Sequence, residues 1–168
     1  TASGNTVNIT GGTLGDNTYI QGGNSPSGTA KNNTVTISGG EFDFGTNIIG
    51  GCSERSTANN NTVTISGGSF DGSAKLFGGC SFDSNTQRFV GNNAGTNNTL
   101  NLKIKGLTVN SVDGFQNLNF YIPNTAQPNE TMLTVYPTAV NLSNATIKAI
   151  VQDGSTLKTG DTITLIKT

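Results

Sequence analysis

The sequence predicts an all-β protein: a right-handed parallel β-helix wound from 28-residue repeats, with a β-rich cap at its C-terminal end. Three observations carry this. Three segments align without a gap: Asn5-Thr-Val-Asn-Ile-Thr-Gly-Gly-Thr-Leu14, Asn33-Thr-Val-Thr-Ile-Ser-Gly-Gly-Glu-Phe42 and Asn61-Thr-Val-Thr-Ile-Ser-Gly-Gly-Ser-Phe70. Within each, apolar and polar residues alternate with period two, the pattern of a half-buried strand. A unit this short cannot bury its own apolar face, so identical units must stack. An antiparallel sandwich gives no reason for self-similarity at 28 residues. The crossover rule for parallel strands selects the right-handed winding.

Taken in order, each repeat opens on a β-branched strand suited to a pleated, half-buried surface. In Thr62-Val-Thr-Ile-Ser66, Val63 and Ile65 face one side and the hydroxyl residues the other. A Gly-Gly pair then turns the chain, because glycine accepts positive φ without steric cost. A second apolar patch follows and ends in another Gly-Gly: Tyr19-Ile20-Gln21-Gly22-Gly23, Asn47-Ile48-Ile49-Gly50-Gly51 and Lys75-Leu76-Phe77-Gly78-Gly79. The expected inward columns are Val7, Val35, Val63 and Leu100; Ile9, Ile37, Ile65 and Leu102; Leu14, Phe42 and Phe70; and Ile20, Ile48 and Leu76. Phe77 is a further candidate for this last wall. The polar segments 24–32 and 53–60 are expected to project from one edge as loops. A degenerate fourth copy begins at Asn98, 37 residues after Asn61, so segment 81–97 holds an insertion that is expected to be tolerated as a loop.

Residues 1–105 are therefore read as the repeats, and 106–168 as final coils and a capping module. In the second part the Gly-Gly pairs vanish, and strands are expected over 106–112, 118–122, 131–135, 145–151 and 162–166. A solenoid's last coil bares an apolar end and open strand edges, which is the reason to expect a cap there.

Composition narrows the function. Thr (26), Gly (23), Asn (23) and Ser (14) fill about half of the 168 residues, charged residues are 11%, and there is no His or Trp. A helix bundle lacks its usual residues. Nine Lys+Arg against ten Asp+Glu leave a net charge of -1, without the excess of basic residues a nucleic-acid partner calls for. A His-dependent triad or His-ligated metal is excluded. No stretch approaches the ~20 apolar residues of a membrane helix, and no signal peptide is read at the N-terminal end. Repeats starting by Asn5 give the look of a piece of a longer chain.

The C-terminal part carries a resemblance. The run Gly114-Phe-Gln-Asn-Leu-Asn-Phe-Tyr-Ile-Pro123, then Met132-Leu-Thr-Val135, Asn141-Leu-Ser-Asn-Ala-Thr146 and Leu157-Lys-Thr-Gly-Asp-Thr-Ile-Thr-Leu-Ile166, resembles the C-terminal end of autotransporter passenger domains, the type V secreted surface proteins of Gram-negative bacteria. The Asn-Thr-Val-Thr-Ile-Ser-Gly-Gly repeats are similar to the bodies of such passengers. The resemblance implies display on the bacterial cell surface, outside the outer membrane, with anchoring through a β-barrel that this sequence does not contain. It also implies an autochaperone-like role for residues 106–168. It transfers no catalytic residue.

Candidate chemistry is sparse. Asp43 and Asp71, one period apart, are the single stacked carboxylate pair. Calcium wants six or more oxygens, and Asn47, Ser69 and Ser73 are the only nearby additions. The competing reading is two solvated turn aspartates. Retaining glycosidases want two carboxyls ~5 Å apart, and no basic residue joins this pair. Thr6, Thr34 and Thr62, with Asn8, Thr36 and Thr64, form outward ladders of the kind that can bind ice, but a useful ice face needs more rungs and greater flatness than three copies give, and strand propensity with solubility on an exposed sheet accounts for them. Cys52 and Cys80 follow Gly-Gly pairs one period apart. A register of one rung, ~4.8 Å, fits either a disulfide or two stacked thiols.

The function expected from this is a non-catalytic adhesin or stalk, a monomer that contacts a host surface, matrix or glycan, with no catalytic residue and no cofactor. The alternatives are a polysaccharide lyase or glycosidase on the same fold and, further off, an ice-binding solenoid.

Overall fold

The computed structural model describes residues 1–83, 85–86, 88–91, 95–137, 140, 142 and 144–168. Two expectations fall partly outside them: the insertion 81–97, at Ser84, Gln87 and residues 92–94, and the segment 141–146, at Asn141 and Ser143.

The chain is a parallel β-helix, with no helix among the described residues. The first coil holds β1 (Ala2–Ser3), β2 (Thr6–Leu14), β3 (Tyr19–Gln21) and β4 (Asn24–Ser25). The second holds β5 (Ala30–Lys31), β6 (Thr34–Phe42) and β7 (Asn47–Ser53). The third holds β8 (Ala58–Asn59), β9 (Thr62–Ile65), β10 (Ser69–Phe70), β11 (Lys75–Asp83) and β12 (Arg88–Gly91). Then come β13 (Thr99–Leu102), β14 (Leu107–Val109) and β15 (Ser111–Asp113), β16 (Asn117–Ile122) and β17 (Thr131–Val135), and finally β18 (Thr146–Val151) and β19 (Thr164–Lys167).

Strand β2 pairs with β6, and the long sheet then runs β6, β9, β13, β16, β18, with β10 also on β6. Its register is that of the repeats: Val7 opposes Val35, Val35 opposes Val63, and Val63 opposes Leu100. Leu118 and Ile147 extend the same column. Val35, Ile37, Val63, Ile65, Leu100 and Leu102 are fully buried. Opposite them Ile48, Leu76 and Val112 line the inner face of a second sheet built on β3, β7, β11 and β15. Burying each such side chain stabilises by roughly 1.5–3 kcal/mol. Phe42 and Phe70 stack with centroids 4.5 Å apart and planes 7° apart.

Pairing crosses residue 105 without a break, since β13 pairs with both β9 and β16. Segment 106–168 thus continues the same stack. Its coils are irregular: Thr99 opposes Asn117 after 18 residues and Asn117 opposes Thr146 after 29. It also builds a further sheet, β14-β17-β19. The terminal strand β18 is exposed along its whole length. Lys105 bridges into this region. Its ammonium donates to both carboxylate oxygens of Glu130, at 2.8 and 2.7 Å, and to the Thr125 carbonyl at 2.9 Å. Lys105 first, then the Gln127 amide, hold the Glu130 carboxyl below the usual carboxylate range. A depressed folded pKa gives stability that is complete above the unfolded value, about 4.3, and lost as pH falls through the folded one. Glu130→Gln is therefore expected to melt lower than wild type at pH 7, with the gap closing in acid. An unchanged gap at low pH would count against the carboxylate as its source.

Two expectations about loops are corrected. Segments 24–32 and 53–60 do not simply project. Strands β1, β5 and β8 form a small parallel sheet, and Ala30, Ala58, Ser25 and Ser53 are buried. Small side chains let the chain close the third side of the coil. The insertion 81–97 is not a free loop either. Strand β11 runs on past the repeat and pairs antiparallel with β12, Phe82 opposite Phe89 and Asp83 opposite Arg88. The reason is apolar. Ile49 and Phe77 point outward in register with Gln21 and Asp113, so Phe77 does not belong to the inner wall. Phe89 covers them together with Cys52 and Cys80 in a second core.

Candidate functional site

Four features bear on function: an internal asparagine ladder, the cysteine pair, the Asp43/Asp71 turns, and a groove outside the second sheet.

The ladder consists of Asn5, Asn33, Asn61 and Asn98, the first residue of each repeat. The Asn61 Oδ1 accepts from the Asn33 amide at 3.1 Å and from Asn33 Nδ2 at 2.9 Å. Asn61 Nδ2 donates to the Ala30 carbonyl at 3.2 Å and to Asn98 Oδ1 at 3.1 Å. The Asn98 amide donates in turn to the Gln116 Oε1. Asn33, Asn61 and Asn98 are fully buried, and no buried side-chain nitrogen or oxygen among the described residues lacks a partner. The residue before each ladder asparagine, Gly4, Asn32, Asn60 or Asn97, is left-handed, φ 55–73°. The second Gly-Gly pairs serve this ladder and not a positive-φ turn. None has positive φ, but a Cβ on Gly23, Gly51 or Gly79 would meet the side chain of Asn33, Asn61 or Asn98.

Cys52 and Cys80 oppose each other across β7 and β11. Their Cα atoms are 4.6 Å apart and they form a disulfide. The bridge closes a loop with a sequence separation of 28, for which the chain-entropy model gives roughly 3.5 kcal/mol. Thiol labelling of denatured, unreduced protein is expected to find no free thiol, and Cys52→Ser/Cys80→Ser to melt lower. Two labelled thiols per chain would refute the bridge.

Asp43 and Asp71 lie exposed in equivalent turns. The Asp71 Oδ1 accepts from the Ser73 amide at 2.9 Å and its hydroxyl at 2.7 Å. The Asp43 carbonyl accepts from Thr46 Oγ1 at 2.9 Å. Asn47 donates to the Gly45 carbonyl and Ser69 sits in β10. No group of three or more Cys, Asp or Glu placed to hold a metal occurs among the described residues. The Thr-x-Thr motif occupies two adjacent rungs, 34/36 and 62/64, and continues as Asn101 and Asn119, which hydrogen bond along the column.

The groove is made by the register of the second sheet. Tyr19, Asn47, Lys75 and Ser111 form one outward column, and the β11–β12 hairpin walls it. Phe89 reaches back to Tyr19, ring centroids 5.2 Å apart, and packs against Phe82 at 5.4 Å. One end, about 490 Å³, is lined by Tyr19, Phe44, Lys75, Arg88, Phe89 and neighbouring asparagines. The other, about 670 Å³, adds Asp83 and Asp113. Tyr19 and Phe44 are 56% and 63% exposed. Among the described residues neither Lys75 nor Arg88 forms an ion pair.

No protein family, no curated protein and no solved structure matches this chain.

Both groove carboxylates are engaged. The Thr86 hydroxyl at 2.8 Å and the Asn85 amide at 2.9 Å hold Asp83 below the usual carboxylate range. The Gly114 amide donates to Asp113 at 2.7 Å. The groove thus offers aromatic faces, two cations and amides on a rigid scaffold. It is not legible in the sequence because nothing there sets Lys75 apart from other strand residues and Arg88 lies in the insertion. The ladder was missed because asparagine is rarely buried. The signal was present: an Asn at the same place in every repeat, at 5, 33 and 61 with a spacing of 28 and again at 98 after the insertion.

Proposed function

We propose that the chain is a non-catalytic, surface-displayed adhesin or stalk module of a Gram-negative autotransporter passenger, making contact with host, matrix or glycan outside the outer membrane. The groove carries this reading. Tyr19 and Phe44 are exposed in it, Lys75 and Arg88 form no ion pair among the described residues, and Asp83 and Asp113 are committed to turn hydrogen bonds. A disulfide suits an oxidising compartment. Stacked strands with little charge suit a stalk that adds one coil at a time. In this reading residues 106–168 end the stack and act as the autochaperone-like module that helps the preceding coils fold.

The test has two arms. Beads carrying the purified chain are expected to adhere to cells or matrix, and a polysaccharide panel incubated with the same protein is expected to yield no shortened or unsaturated product. Product formation would replace the adhesin with the lyase or glycosidase. Fused to an outer-membrane translocator barrel, the chain is expected to become protease-accessible on intact Gram-negative cells. Retention inside would remove the secretion part of the proposal.

A further inference from the structure

We propose that the acid-free end of the groove, between Tyr19, Phe44 and Phe89, binds a negatively charged sugar of an acidic oligosaccharide, with Lys75 and Arg88 taking its anionic group. This deepens the surface-contact reading and rests on it.

The argument begins with position. Lys75 sits mid-strand in β11, paired with Asn47 on one side and Ser111 on the other. Its backbone is therefore fixed by the sheet. Arg88 starts β12 directly opposite Asp83, so the hairpin brings it to the same wall. A cation held on a strand without a carboxylate partner is available to an anion. A guanidinium beside it can grip a planar carboxylate or a sulfate through two parallel hydrogen bonds.

Charge alone would fit any anion. The rings narrow the class. Tyr19 and Phe44 show more than half of their surface to solvent, and Phe89 ties Tyr19 to the hairpin. An aromatic ring covers the apolar C–H face of a pyranose, and the exposed amide of neighbouring Asn17 supplies a donor and an acceptor that hydroxyls need. A volume of about 490 Å³ lies within the range of small-ligand sites. The backbone beneath is tightly held. Asn17 is left-handed, φ 57°, its amide donates to the Phe44 carbonyl at 2.7 Å, and a Cβ on Gly45 would meet the Asn17 side chain. Phe44 is thus presented by a turn with little freedom.

The carboxylates set polarity. Asp83 and Asp113 line only the far end. They repel an anion there and direct the acidic group toward the Tyr19 end.

The probe is an oligogalacturonate, with its methyl ester as the uncharged twin and a heparin-derived oligosaccharide as the sulfated one. Titration calorimetry on the whole chain is expected to detect the oligogalacturonate and to find the methyl ester weaker by roughly tenfold or more, the scale of one charge-assisted contact. Affinity should fall with added salt. Lys75→Gln and Arg88→Gln should each reproduce the loss while melting like wild type, and Tyr19→Ala should weaken both sugars. Lys31→Gln, away from the groove, should change nothing. If heparin binds instead through the same residues, sulfate is the anion and the assignment stands. Equal binding of acid and ester, indifference to Lys75→Gln/Arg88→Gln, or no binding of either acidic sugar would overturn it. Adhesion that survives Lys75→Gln/Arg88→Gln would leave the adhesin reading intact and sink only the groove.

Discussion

Val35→Asp is expected to abolish cooperative folding. Val35 is fully buried, lies between Val7 and Val63 in adjacent rungs, and belongs to the main core. A carboxylate there finds no cation, and a buried unpaired charge is among the few single changes that cost more than about 4 kcal/mol. That is a large part of the roughly 5–15 kcal/mol by which domains of this kind are stable. Thr36→Asp, one residue along and facing outward, is the control. It should leave the thermal transition cooperative and shift it only modestly. A cooperative melt for Val35→Asp near the wild-type temperature would contradict the register of the long sheet.

Asn61→Ala should be the most damaging truncation of a polar side chain. It removes the acceptor for the Asn33 amide and Asn33 Nδ2 and the donor to the Ala30 carbonyl and Asn98. Each buried group left without a partner costs about 1–3 kcal/mol. Relaxation recovers part of this, so the expected loss is about 3–6 kcal/mol. Asn5→Ala, at the exposed end of the same ladder, loses only the Nδ2 bond to Asn33 Oδ1, keeps the backbone amide bond to the same oxygen, and should cost far less. Asn61→Asp keeps the acceptor but loses the donor and adds charge, so it should not rescue. Chemical denaturation of the three variants checks the order; equal losses at positions 5 and 61 would show that the ladder does not act as a buried network.

Repetition made the long sheet readable. Val7, Val35 and Val63, or Ile9, Ile37 and Ile65, stand in the same place in each copy, and stacking turns identical spacing into register. Beyond residue 106 alternation placed strands such as that of Leu118, Phe120 and Ile122, but 106–112, expected as one strand, is two, β14 and β15, which turn at Asn110 into different sheets. What escaped was whatever lacked a copy or reversed a rule. The β12 hairpin occurs once, so no column points to it, and its packing depends on Ile49 and Phe77 facing outward. The short sheet rests on Ala30 and Ala58, too small and too brief to read as strands. The ladder buries amides, and its glycines are needed for clearance, a use that composition does not separate from turning. The groove joins residues from three coils with Arg88, which arrives through the insertion. Periodicity alone does not bring it there.

The disulfide also sets how the molecule responds to tension. A pull on the two termini loads the coils in series, and each can peel from the next once its rung of hydrogen bonds parts. Cys52 and Cys80 close a covalent loop between the second and third coils, so force bypasses the residues between them. An oxidised molecule stretched to rupture keeps that 28-residue span out of its contour. Reduction releases it, lengthening the fully drawn chain by about 3.3–3.6 Å per freed residue. Under tension the bond thus acts as a stop that limits how far the middle of the solenoid can extend.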